Sequence, residues 1–286
     1  MAWAVLYTPS IWFWGSGLMK ESICMGGLGF VISILYKMFV RKKFRLLDLP
    51  FLLLFLYLIT IIKSYIIIIF AVSLSTVIFF KLIDFFKHLV IKMVVVLGFL
   101  FFMVVIAFVS NFTSQLQTLV QESKEQVDTY QRNYEASNQE DESSKAGVDA
   151  KEIDASLMGL LLHAPQAIFA CLYRPFIWES RKPSTLLSSL ESLAIMIFTL
   201  RVIFGLGIFK FFKALRDPAI MYCITFSVLF ALFVGATTPN FGTLCRYKIP
   251  CMPFYVLALI LIWDKYDRFK LKSSPQVKGL PVISEG

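Results

Sequence analysis

The amino-acid sequence predicts an all-α fold, a polytopic transmembrane helix bundle of about seven crossings with a polar outward-facing insertion. Three observations support this. Hydrophobic residues make up 58% of the 286 residues and charged residues only 16%, with a mean hydropathy of +0.73, which is more apolar than a soluble surface tolerates. The apolar residues form runs of roughly the ~20 residues that cross a bilayer. Lysine and arginine are concentrated beside these runs, as in membrane proteins whose topology is set by charge.

The first membrane part covers residues 1–110, with spans near 22–40, 49–62, 65–80 and 93–110. Small residues at Gly26 and Gly27 offer the first span a flat face for a neighbouring helix. The apolar stretch from 49 to 80 is interrupted by Lys63 and Ser64. A lysine in the middle of one long span would be costly, so the sequence predicts a hairpin of two short helices with Lys63 at the turn.

Residues 111–187 form the predicted insertion. Between Glu122 and Asp154 it carries ten acidic residues against four basic ones. Helical spacing of apolar residues in its first half predicts an amphipathic helix, and the polar composition of Ala136 to Ala150 predicts disorder. From Ile153 to Leu172 the chain is apolar but broken by polar residues and a proline, which favours an interfacial or re-entrant segment.

The second membrane part covers residues 188–263, with spans near 190–209, 218–236 and 249–263, followed by a basic cytoplasmic tail over 264–286. With the amino terminus outside, the inside connections hold fifteen lysines and arginines and the short outside connections hold four. This asymmetry predicts an integral membrane protein with its amino terminus outside and its carboxyl terminus cytoplasmic. We therefore attribute the net charge of +9 to basic residues that set the orientation in the membrane, and no nucleic-acid partner is expected.

The amino-terminal residues bear on where the chain begins. Its opening residues resemble the last turns of a preceding span, so we expect Met1 to be an internal start or the chain to be truncated at its amino terminus.

The five cysteines contain no CxxC pair and are interpreted as membrane-packing residues. Cys245 and Cys251 are close enough in sequence to leave a disulfide as the alternative.

Three segments that this topology places outside combine charged residues with aromatic or rigid ones, and we call them the outward clusters: residues 12–21, 174–183 and 237–248. Together they predict a site for an anionic saccharide or glycolipid. Glu21 and Glu179 are candidate catalytic carboxylates, with ion pairing to neighbouring basic residues as the alternative. Aromatic and basic residues at a membrane boundary also serve as anchors, which is the alternative for each cluster. No cofactor is predicted, no metal ligands are assigned, and a divalent metal has no support in the sequence. The candidate substrate-binding residues are Trp14, Lys20, Arg174, Trp178, Asn240, Arg246 and Tyr247.

The segment Pro9-Ser10-x-Trp12-Phe13-Trp14-x-Ser16-Gly17-Leu18-x-Lys20-Glu21 resembles a motif of bacterial surface-polysaccharide proteins. These are the O-antigen and exopolysaccharide polymerases and the lipid-linked-sugar glycosyltransferases of the C fold. Later segments, Arg174-Pro-Phe-x-Trp-Glu and Asn240-Phe-Gly-Thr-x-x-Arg246-Tyr-x-x-Pro-x-x-Pro, resemble the same kind of protein. The resemblance implies polysaccharide assembly from polyprenyl-pyrophosphate sugars in a bacterial inner (plasma) membrane, with Arg174 and Arg246 binding phosphate or acidic sugar.

The sequence leaves several functions open, and with them the question of whether the chain is an enzyme. The first is transfer or polymerisation of lipid-linked saccharide at the outer face, with membrane lipid and the saccharide as partners. The second is a non-catalytic scaffold subunit whose acidic insertion, residues 111–150, binds a periplasmic protein partner. The third is a transporter.

Overall fold

The computed structural model describes residues 20–39, 41–43, 45–86, 97–99, 102, 162–180, 183–238 and 241–273. Throughout these ranges the regular secondary structure is helical, in agreement with the predicted all-α class. The α-helices are α1 (Lys20–Phe39), α2 (Asp48–Phe85), α3 (Ala164–Tyr173), α4 (Pro183–Leu206), α5 (Ile208–Ala214), α6 (Pro218–Thr237), α7 (Phe241–Tyr247) and α8 (Met252–Ser273). A single 3₁₀ turn, Ile177–Glu179, lies between α3 and α4.

Four of these helices, α1, α2, α4 and α6, are long and apolar enough to cross a membrane, and a fifth span is reached if the bent pair α7 and α8 counts as one. Within the described residues, the helices are compatible with a multi-pass membrane protein and supply four to five candidate spans, so the predicted count of about seven is not confirmed. The span predicted near 93–110 lies almost wholly outside the described residues, as does the insertion from 111 to 161.

Helix α2 covers both spans predicted between 49 and 80, and its backbone is interrupted at Lys63. That residue has φ −151° and ψ 83°, outside helical geometry. At ~1.5 Å per residue, a straight helix of 38 residues would far exceed the ~30 Å hydrocarbon thickness. The structure therefore has two helical arms on either side of Lys63, as predicted, with the non-helical residue at the position predicted for the turn.

The two arms of α2 pack against different neighbours. Before the interruption, the Phe55 ring stacks on Phe30 of α1 with centroids 4.7 Å apart. After it, Tyr65 stacks on Phe233 of α6 with centroids 4.4 Å apart. Lys63 therefore lies at the boundary between two helix packings.

Glycine and proline set the limits of the later helices. Helix α4 begins at Pro183 and ends at Leu206, earlier at both ends than the predicted span of 190–209. It ends there because Gly207 adopts a positive φ of 83°, a conformation that glycine enters without steric cost. Pro218 opens α6 in its first turn, capped by the Asp217 carboxylate, which accepts a hydrogen bond from the N–H of Ala219 at 3.1 Å.

The last predicted span, 249–263, is divided in the structure. A short helix, α7, ends at Tyr247, and α8 begins at Met252, with a bend of 63° between them. Pro253 lies in the first turn of α8, where a proline loses no helical hydrogen bond. Helix α8 continues to Ser273, so the helix extends into the region predicted as a tail from residue 264.

Helix α6 lies at the centre of the core and is contacted by α2, α3 and α8. Its large side chains Phe226 and Phe230 are fully buried. Its closest approach is to α3, where a Cβ atom added to Gly235 would lie 2.1 Å from the carbonyl oxygen of Ala167. Only a residue without a side chain fits at this crossing.

All five cysteines are buried and free. This agrees with their interpretation as packing residues, and no disulfide joins Cys245 to Cys251.

Candidate functional site

A group of charged side chains lies among the apolar helices, and we call it the charged cluster. Its members come from α1, from the interruption of α2, from the segments after α3 and α7, and from the 3₁₀ turn. Burial of charged groups among membrane helices is costly unless they are paired, so such groups mark functional sites. The cluster consists of Glu21, Lys63, Arg174, Glu179 and Lys248.

The first part of the cluster is an ion pair between Glu21 and Lys63. The Nζ atom of Lys63 lies 2.8 Å from Oε1 of Glu21, with side-chain exposures of 11% and 9%. The same ammonium lies 3.5 Å from the centroid of the Tyr247 ring, a cation–π contact that stabilises a desolvated charge. The interruption of α2 is therefore fixed to the first turn of α1 and the last residue of α7.

The second part is an ion pair between Arg174 and Glu179. The Arg174 Nε atom donates to Oε1 and Oε2 of Glu179 at 3.1 and 3.2 Å, and Nη2 also donates to Oε1. Glu179 Oε2 accepts a further bond from the N–H of Phe176 at 2.8 Å. The Arg174 Cζ atom lies 4.9 Å from the centroid of the Phe241 ring. One edge of the guanidinium and one face are thus held in place.

The third part is Lys248, which is 1% exposed. Its Nζ atom donates to the backbone carbonyl of Arg174 at 3.1 Å and to Oγ of Ser192 at 2.8 Å. The carbonyl of Arg174 follows the end of α3, and Ser192 belongs to α4. Lys248 therefore joins the break between α7 and α8 to two other elements.

Helix α7 connects the parts of the cluster. Phe241 at its start covers Arg174, and Tyr247 at its end covers Lys63. The break that follows lies deep in the bundle, since Oγ of Ser227, near the middle of α6, lies 3.4 Å from the carbonyl oxygen of Cys251. Non-helical backbone at such a depth occurs where it is buried in protein or lines a cavity.

The structure brings together residues from all three predicted clusters. Lys20 and Arg246 are exposed, and the charge of Arg246 acts on Glu21. Trp178 is 80% exposed and stacks on Phe176 with centroids 4.7 Å apart. Trp14 and Asn240 lie outside the described residues. Arg246 and Tyr247, expected in a turn at the start of the last helix, instead belong to the final turn of α7.

Both candidate catalytic carboxylates are ion-paired: Glu179 pairs with Arg174, an expected partner, whereas Glu21 pairs with Lys63 and not with the expected Lys20. A carboxylate held by a cation is a weaker base than a free one, so this arrangement favours binding and orientation. Their catalytic role stays a prediction. Within the ranges that the structure describes, no group of three or more His, Cys, Asp or Glu side chains could hold a metal ion.

Sequence reasoning missed Ser192 as part of the site and treated Lys63 as a turn residue. It included Phe241 and Lys248 in the third outward cluster but not among the candidate site residues. A signal for Lys248 was present: a lysine directly followed by an apolar residue and a proline, at the start of the last span. Its contact with Ser192, 56 positions away, depends on helix packing and has no local signal.

No family model, curated protein or solved structure matches this chain. The functional argument therefore depends on the residues themselves.

Proposed function

We propose that this chain is a membrane protein of surface-polysaccharide assembly that binds lipid-linked saccharide at the outer face of a bacterial inner membrane, for transfer or polymerisation. One observation carries the proposal. The three segments with the polysaccharide-protein resemblance, around Glu21, Arg174 and Arg246, are far apart in sequence and meet through the charged cluster.

The chemistry of the cluster supports an anionic substrate. Arginine binds phosphate and carboxylate through its planar fork of N–H donors, and Arg174 is already oriented by Glu179. The exposed ring of Trp178 lies four residues away and offers a flat apolar face of the size of a sugar. An arginine and an exposed aromatic ring in one short segment suit a phosphate-linked sugar.

The proposal is tested by complementation of a strain that lacks the protein, with the chain length of its surface polysaccharide as the readout. Arg174→Ala should leave unpolymerised or lipid-linked precursor at a normal level of membrane protein. Arg201→Ala is the matched control, because Arg201 also contacts an aromatic ring, that of Trp263 at 5.5 Å, but lies outside the cluster. Unchanged polysaccharide in the deletion strain, or equal effects of the two variants, would refute the proposal.

Transport is a second candidate function, favoured by one observation. The two helix interruptions within the described spans, at Lys63 and after Tyr247, meet at the cation–π contact between these residues. Interrupted helices that meet inside a bundle are typical of substrate sites in transporters. Uptake or release of a labelled saccharide lipid by vesicles containing the purified chain would separate transport from transfer, since transport leaves the saccharide chemically unchanged.

A further inference from the structure

Lys248 is unusual among the buried charges because its partners are neutral. Its ammonium donates to a backbone carbonyl and to a serine hydroxyl. In the part of the chain that the structure describes, no carboxylate lies within ion-pair distance of it. An ammonium group has three N–H donors, and these two bonds use two of them. Burying a charge without a counter-ion is strongly unfavourable.

Arg174 has unused donors as well. Its Nε and Nη2 atoms bind Glu179, which leaves the Nη1 edge of the five-donor fork without a hydrogen bond. The Arg174 side chain is 24% exposed, against 17% for that of Glu179. Because Lys248 binds the carbonyl of Arg174 itself, the ammonium fixes the backbone that carries the guanidinium.

The surrounding charges do not balance. The charged cluster holds three cations, Lys63, Arg174 and Lys248, and two carboxylates, Glu21 and Glu179. Glu21 and Glu179 are bound to Lys63 and Arg174. A bound anion would offset the remaining positive charge in this low-dielectric setting.

We propose that Arg174 and Lys248 form a binding site for an oxyanion of the phosphate class. Arg174 binds the oxygens through its Nη1 edge, and Lys248 is a positioning residue that holds Arg174 and supplies the buried positive charge. The site deepens the proposed function, on which it rests, by assigning the phosphate of a lipid-linked saccharide to these two residues. The same chemistry would accept free pyrophosphate.

The test is a fluorescence titration of the purified full-length chain in detergent micelles with three probes: a short-chain polyprenyl phosphate, the matching uncharged polyprenol, and inorganic pyrophosphate. The wild type should bind the phosphate lipid roughly tenfold or more tightly than the alcohol, because charge-assisted hydrogen bonds are lost with the phosphate. Lys248→Met and Arg174→Gln should remove this preference. Lys248→Arg should keep it, as should the control Lys265→Met at a distant ion pair.

Selectivity is the decisive readout, because a purely structural role for Lys248 would lower the melting temperature and leave the preference for phosphate intact. If Lys248→Met does not fold, Arg174→Gln carries the test. The inference is overturned if the wild type shows no preference, or if both variants retain it. Binding of pyrophosphate without the lipid, lost in Arg174→Gln, would uphold the oxyanion site and refute the lipid-linked function. A preference for the phosphate lipid with unchanged polysaccharide in the deletion strain would refute only the proposed assembly role.

Discussion

Two ion pairs near opposite ends of α6 show how differently this protein treats charge. Glu21 and Lys63 lie 2.8 Å apart with exposures of 9% and 11%, and Asp217 and Lys265 lie 3.1 Å apart with exposures of 38% and 37%. The bond lengths are similar and the surroundings are not. The buried pair lies near the carboxyl end of α6, because the nearby Tyr65 stacks on Phe233, and the half-exposed pair lies at its amino end.

The comparison separates charges that belong to a candidate site, as at Glu21 and Lys63, from charges that stabilise a helix end, as at Asp217 and Lys265. Beside Asp217 the charges reach solvent, and the carboxylate also caps α6. In the charged cluster the groups are held away from solvent and joined to three interrupted or short elements. Charge kept in such surroundings at a cost in stability is the pattern expected of a functional site.

The largest expected effect comes from breaking the buried pair on one side. Lys63→Met should lower the free energy of unfolding by about 3–5 kcal/mol, because Glu21 is left buried and unpaired. The double variant Glu21→Leu/Lys63→Met should recover most of this loss, since both charges are then removed. Melting in detergent would check both values, and a double variant no more stable than the single one would contradict this explanation.

The next effect concerns the crossing that positions α3, which leads into Arg174. Gly235→Ala should lower the free energy of unfolding by about 3 kcal/mol, because the added methyl group meets the carbonyl of Ala167. Gly26→Ala is the matched control, since a Cβ at Gly26 meets nothing within 4 Å. Equal melting temperatures for the two variants would show that α3 and α6 are not in close contact.

A smaller effect is expected at Tyr247, whose ring contacts the Lys63 ammonium. Tyr247→Leu should lower the free energy of unfolding by about 1–2 kcal/mol through loss of a desolvated cation–π contact. Tyr247→Phe should keep most of the wild-type stability because the ring remains. The comparison is made by thermal unfolding of both variants. If Tyr247→Leu no longer destabilises the protein when Lys63 is already replaced by Met, the cation–π contact accounts for the loss of stability. An equal destabilisation in both backgrounds would assign the loss to packing alone.

The smallest effect is expected at the half-exposed pair. Burial alone would raise the pKa of Asp217, but hydrogen bonds from Lys265 and from the N–H of Ala219, with the charge of Lys265, lower that pKa below its ordinary value of 3.8. The carboxylate thus contributes stability that is present above the ordinary pKa and is lost as pH falls through the lowered one. Solvent screening keeps the contribution below about 1 kcal/mol.

Asp217→Asn should therefore melt close to the wild type at neutral pH, and the small difference between them should vanish in acid as the wild-type carboxyl gains its proton. A difference that grew as pH fell would contradict the direction of the pKa shift. Melting curves at several pH values would measure it.

The sequence predicts features that depend on local composition. The helices α1 and α6 coincide closely with the predicted spans at 22–40 and 218–236, because apolar length alone defines them. Lys63 marks the interruption of α2 for a similar reason: a lysine among isoleucines and leucines is locally conspicuous. The sequence also predicts that the three clusters meet on one face, from a count of seven crossings that the described helices do not confirm.

The remaining features depend on packing and backbone geometry that a single sequence does not encode locally. The division of the last span into α7 and α8 could not be predicted, because the break between them is stabilised by a contact between Cys251 and Ser227 of α6. The partner of Glu21 is Lys63, 42 positions away, and not the adjacent Lys20, because α1 and α2 pack side by side. The role of Lys248 could not be predicted either, because it depends on how the helices bring Arg174 and Ser192 to its side chain.

The most direct test of the account is cysteine cross-linking in membranes, in a background from which the five native cysteines have been removed. Cysteine pairs at positions 21 and 63, and at 217 and 265, should each cross-link with a bifunctional thiol reagent that spans about 10 Å, because a lysine and a carboxylate meet across a longer backbone separation than the ~7 Å that a disulfide bridges. The exchanged pairs, 21 with 265 and 63 with 217, should not, because the two ion pairs lie some 24 Å apart along α6 at ~1.5 Å per residue. Cross-linking at 217 and 265 without cross-linking at 21 and 63 would contradict the charged cluster. Cross-linking of the exchanged pairs would contradict the arrangement of the helices.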